Sequence, residues 1–68
     1  MSKKKRMQYR GPSRDIQSNP WLRLVHGRRY DLEIHEMSSG KVRVRVSEDY
    51  ETARITYGNK DEFKADWI

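Results

Sequence analysis

The chain has 68 residues, no cysteine and a formal charge of +5, so it is one small domain whose core supplies about 3–5 kcal/mol, with no disulfide or thiolate metal site to reinforce it. A deep active-site cleft is excluded at this size, and no apolar run is long enough for a signal-peptide core or a bilayer span, which makes a soluble, cytoplasmic, non-catalytic binding module the expectation. The charge is unevenly spread: residues 1–14 carry six basic groups and no acid (+6), while residues 15–68 set nine basic groups against ten acids (−1).

The first segment, "MSKKKR", places Lys3, Lys4, Lys5 and Arg6 in a row. Without apolar periodicity it reads as a disordered basic arm over residues 1–6, able to touch phosphate backbones weakly and without sequence preference. The domain proper is expected over residues 7–68. "RMQYR" reads as an edge strand with Met7 and Tyr9 pointing inward. From Gly11 to Arg28 a long irregular loop is expected, and in it Trp21 follows Asn19-Pro20. Proline keeps the residue before it extended, and Trp21 either plugs the core or stands out as an anchor.

The clearest pattern follows. "RYDLEIHE" puts Tyr30, Leu32 and Ile34 on one face, and "KVRVRVS" opposes Val42, Val44 and Val46 to Lys41, Arg43 and Arg45. A three-residue loop, Ser38-Ser39-Gly40 with Gly40 left-handed, sets Ile34 against Val44 and Leu32 against Val46. A two-residue loop would set Ile34 against Arg45 and is rejected, because a one-residue slip turns a strand inside out. "ARITY" then places Ala53, Ile55 and Tyr57 on one face. Asn59 is placed to cap a short helical or 3₁₀ turn over Lys60–Phe63, with Glu62 completing a capping box. "FKADWI" closes the chain as a last strand with Phe63, Ala65 and Trp67 together, an amphipathic helix over residues 60–68 being the alternative.

This order defines an all-β fold: a small five-stranded SH3-like barrel with one short helical or 3₁₀ turn before the last strand and a flexible basic N-terminal arm. On "Y-x-G-P-S" at Tyr9, Gly11, Pro12 and Ser13, on "H-G-R-R-Y-D-L-E-I", and on the ending that carries Tyr57, Gly58, Phe63 and Trp67, the chain resembles small phage-encoded SH3-like proteins. That resemblance implies a fold, a viral origin and thus a host bacterial cytoplasm, and an accessory role without established activity. The acidic first loop of proline-peptide-binding SH3 domains is missing.

No nucleophile-elbow serine or Gly-rich phosphate loop is present, and His26 and His35 lack a recognised zinc spacing. No catalytic residue, metal or cofactor is therefore expected. Glu48, Asp49 and Glu51 read as a solvated turn, with Tyr50 either marking a contact surface or folding back over the barrel end. Arg43, Arg45 and Arg54 form an outward stripe that fits a phosphate backbone, though Glu33 across from Arg45, with Asp31 and Glu36 nearby, makes cross-strand charge pairing the preferred account of it. Two functions follow. The leading one is docking on a host or viral protein through Trp21, Tyr50, Tyr9 and Trp67, as a monomer or weak homodimer without membrane contact. The alternative is weak, sequence-nonspecific nucleic-acid binding through Lys3, Lys4, Lys5 and Arg6 with Arg43, Arg45 and Arg54.

Overall fold

A computed structural model describes residues 2–68. Among them the chain is mostly β, with six strands, β1 (Ser2–Gln8), β2 (Arg14–Ile16), β3 (Asn19–Leu24), β4 (Arg29–Glu36), β5 (Val42–Glu48) and β6 (Glu51–Tyr57), and one helix, α1 (Lys60–Asp66). Strands β1-β4-β5-β6 make one antiparallel sheet and β2-β3 a second. The two sheets share one core, with the β2–β3 pair lying against β6, and are not closed into a barrel.

The central hairpin adopts the register that its alternation requires, with Leu32 opposite Val46 and Ile34 opposite Val44. Met37 and Lys41 close the three-residue loop, the Met37 N–H donating to the Lys41 carbonyl at 2.9 Å, and Gly40 takes φ 92°. A left-handed residue at that position turns the chain without splaying strands of right-handed twist. Val42, Val44 and Val46 in turn face Tyr57, Ile55 and Ala53.

Three expectations are corrected. The basic run is not a disordered arm: Ser2–Arg6 pair with β4, Lys4 opposite Glu33 and Arg6 opposite Asp31, so the carboxylates on the outward face of β4 favour the cations' place in a strand. The segment from Gly11 to Arg28 is not irregular. It holds the β2–β3 hairpin, whose alternation sends Leu22 and Leu24 into the core and Trp21 and Arg23 outward. Nor do residues 63–67 form a last strand, since α1 runs to Asp66 and only Trp67 bridges back to Tyr9.

The N-cap decides the helix. Asn59 Oδ1 accepts from the Glu62 N–H at 2.9 Å, and Glu62 Oε2 accepts from the Gly58 N–H at 2.8 Å, one residue earlier than in a strict capping box. The helix then delivers Trp67 into the core, where its ring lies 5.1 Å from Tyr9 and edge-on to Tyr30 at 5.9 Å. Gly11 passes so close to this cluster that a Cβ would sit 2.6 Å from the Tyr9 hydroxyl, a position open only to glycine. The core is completed by Ile16, Leu22 and Leu24 from the second sheet, whose strands lie against β6.

Candidate nucleic-acid interface

Alternation that buries one side of the large sheet pushes every second residue of β1, β4, β5 and β6 onto the other. Pairing aligns these outward residues in rows. One row runs Lys4, Glu33, Arg45, Arg54; its neighbours run Ser2, His35, Arg43, Thr56 and Arg6, Asp31, Ser47, Thr52. In these three rows five cations (Lys4, Arg6, Arg43, Arg45, Arg54) thus share a face with two carboxylates (Asp31, Glu33).

Charge pairing does not absorb them. Arg6 Nη1 lies 3.1 Å from Asp31 Oδ1 with both side chains exposed, a pair worth about 0–1 kcal/mol. Glu33 stands between Lys4 and Arg45 and closes an ion pair with neither, and no ion pair among the described residues involves Arg43, Arg45 or Arg54. Arg45 and Arg54 instead face each other directly across β5 and β6. Arg45 lines three adjoining surface depressions: with Lys4, Arg6 and Asp31, with His35, Arg43 and Arg54, and with Ser18, Thr52 and Arg54. The expectation that cross-strand pairs account for the arginines is therefore corrected.

The position of Arg54 is fixed from outside the sheet. Ser18 Oγ accepts from the Arg54 N–H at 3.0 Å and donates to the Arg54 carbonyl at 3.1 Å, so the β2–β3 turn satisfies the open edge of β6. Next to it, the Asn19 amide donates to the Thr52 carbonyl at 3.1 Å and to Glu51 Oε2 at 2.8 Å. Neither clamp stands out in the sequence, where the only signal is two short polar side chains before a proline, residues that favour local backbone bonding.

The other named residues divide. Lys3 and Lys5 lie opposite Ile34 and Leu32, on the core side of β1, and reach solvent there at the sheet edge. Trp21 is 84 % exposed and Tyr50 fully exposed, which resolves both alternatives in favour of exposure. Tyr9 and Trp67 are corrected: at 0 % and 3 % exposure they are core and offer no partner surface, because a domain this small packs its large rings where it can. The Trp67 indole Nε1–H donates to the Tyr57 hydroxyl at 2.9 Å, and that hydroxyl donates to Asp66 Oδ2 at 2.8 Å. Burial pushes the Tyr57 phenol well above its ordinary value, the hydrogen bond from Trp67 pulling the other way and Asp66 adding to the rise. Arg14, hydrogen-bonded to the Tyr9 hydroxyl at 3.3 Å and close to Asp66, is held more firmly in its charged form. This cluster fastens α1 to the core.

His26 Nδ1 lies 3.1 Å from the Gly11 carbonyl, and His35 is exposed opposite Arg43. Among the described residues no group of three or more His, Cys, Asp or Glu is placed to hold a metal ion, and no helix is long and apolar enough to cross a membrane. Comparison with known proteins finds no matching family model, no matching curated protein and no matching solved structure.

Proposed function

We propose that this chain is a non-catalytic binding module of SH3-like design whose ligand is nucleic acid, held through its phosphate backbone on the outer face of the large sheet. Two sheets around one core, with Trp67 returning to Tyr9 beside β1, support an open form of that design. An accessory role in a phage-infected bacterial cytoplasm is consistent with it. The observation that carries the function is the row Lys4, Glu33, Arg45, Arg54 with Arg43 beside it, in which three cations flank one carboxylate and the cations are exposed, aligned by strand pairing and free of ion pairs among the described residues. Cations in excess on a sheet face can take up phosphates and release counterions, which yields affinity without sequence readout.

The test is a titration of the full chain with duplex DNA at several salt concentrations. With three to four phosphates neutralised, the log–log salt slope should be about −3. Arg45→Glu combined with Arg54→Glu should remove that slope and nearly all binding while the circular dichroism spectrum stays the same. Affinity unchanged by the double reversal overturns the reading. Docking on a protein is the second reading, favoured by the exposure of Trp21 and Tyr50.

A further inference from the structure

Trp21, Tyr50 and Ile68 are the large apolar side chains left exposed among the described residues, and the first two sit on segments joined by a single side chain. Asn19 Oδ1 accepts from the Trp21 N–H at 3.0 Å, while its Nδ2 reaches Glu51 Oε2 and the Thr52 carbonyl. The start of β3, which carries Trp21, is thereby braced against the start of β6, where Tyr50 is the preceding residue. Pro20 fixes φ between Asn19 and Trp21. Asp49, with φ 55°, makes the tight turn that presents Tyr50, a conformation that aspartate tolerates better than most side chains. The two exposed residues therefore stand on neighbouring segments that Asn19 ties together. Leu22 and Leu24, on the opposite face of β3, fill the core without help from the larger ring.

The charge at this corner is opposite to that of the sheet face. Glu48 is engaged by Arg28 at 3.4 Å and Glu51 by Asn19, while Asp49 takes part in no ion pair among the described residues. A phosphate chain is repelled here, and a cation is attracted both by the carboxylates and by the faces of the aromatic rings. Trp and Tyr are also the side chains that most often dominate protein contacts. We propose that the corner carrying Trp21 and Tyr50 docks a cationic segment of a partner protein, an arginine or lysine side chain lying over the rings with Asp49 and Glu51 alongside. This makes the module two-sided, with an anion-binding sheet face and a cation-binding aromatic corner.

The experiment is NMR titration of the full-length protein with a short Arg-Gly repeat peptide, a Glu-Gly repeat peptide and an oligothymidine. Because the protein is net cationic, indiscriminate attraction of the arginine peptide is disfavoured. That peptide should move the Trp21 indole N–H and the backbone signals of residues 48–52, leaving the buried Trp67 indole N–H still as an internal control. Trp21→Ala with Tyr50→Ala should weaken the interaction at least tenfold, Asp49→Lys several-fold, and Arg45→Glu not at all. The proposal is overturned if the arginine peptide leaves these signals in place, or if oligothymidine moves the Trp21 indole more than the peptide does, the result expected of a base-stacking platform. Failure here leaves the duplex titration of the sheet face intact, so the two readings fall separately.

Discussion

Arg45 on β5 and Arg54 on β6 stand directly opposite each other in the pairing register, and neither has an ion-pair partner among the described residues. Like charges so placed destabilise an antiparallel pair by roughly 0.2–1 kcal/mol. A surface kept for stability alone would not hold them. Arg54→Glu should therefore raise the melting temperature by a few degrees, since about 1 kcal/mol is worth roughly 4–8 °C in a domain of this size, while weakening DNA binding. The Ser18 clamp grips only the Arg54 backbone and survives the change. A lower melting temperature would show that the arginine serves the fold.

Deletion of residues 1–6 should destabilise the domain. These residues supply most of the β1 ladder against β4, including the Arg6–Asp31 pair. At a net 0.5–1.5 kcal/mol per hydrogen bond lost, a loss of at least about 1 kcal/mol is expected in a denaturant melt. Amide exchange gives an independent check: the backbone N–H groups of β1 that bond to β4 should be protected. A truncated chain that melts with the parent would mean that the basic run contributes nothing to the sheet.

The sequence foretells this fold where the local pattern and the partner strand agree, and misses it where only the partner decides. In β4 and β5, alternation, the loop glycine and the cost of a slipped register all point to one pairing, and that pairing is observed. Lys3 to Arg6 have no apolar pattern of their own, and their strand exists because Asp31 and Glu33 lie opposite. Phe63, Ala65 and Trp67 satisfy a period of two, but Phe63 and Trp67 are also four apart, and the Asn59 cap settles the choice for the helix. On the surface, the outward arginines follow from strand parity, whereas the exposure of Trp21 and Tyr50 was left open by the sequence, which showed no strand around Trp21 and sets Tyr50 in a turn. What parity could not supply was that Glu33 leaves Arg45 unpaired, that Tyr9 and Trp67 go inside, or that Ser18 and Asn19 brace the sheet edge.

The hairpin register separates two neighbouring substitutions. Val44 is completely buried and Arg43 exposed, so Val44→Asp should unfold the domain by burying an unpaired charge, while Arg43→Asp should stay within about 0.5 kcal/mol of the parent. Gly40→Val should cost about 1–2 kcal/mol although open space surrounds the position, because the penalty lies in the positive φ alone. Similar melts for the two aspartate variants would refute the register, and a neutral Gly40→Val would refute the left-handed loop.

Tyr57 should make the protein sensitive to alkali. In the unfolded chain its phenol ionises near the ordinary value of 10.0; in the folded protein burial raises that value, the hydrogen bond from Trp67 partly opposing and Asp66 reinforcing the rise. Between the two values the folded state keeps a proton that the unfolded state has lost, so stability must fall as pH rises. This contribution is fully present below about pH 9 and declines above pH 10, with a limiting slope of about 1.4 kcal/mol per pH unit. Tyr57→Phe removes the titrating group. It also leaves the buried Trp67 indole N–H without its acceptor, so the variant should start about 1–3 kcal/mol less stable at neutral pH. Its stability should then decline less steeply than the parent's between pH 9 and 11 in urea melts, the two profiles converging. Parallel profiles would mean that the phenol ionises as readily in the folded chain as in the unfolded one, and that the hydrogen bonds joining Trp67, Tyr57 and Asp66 do not hold its proton.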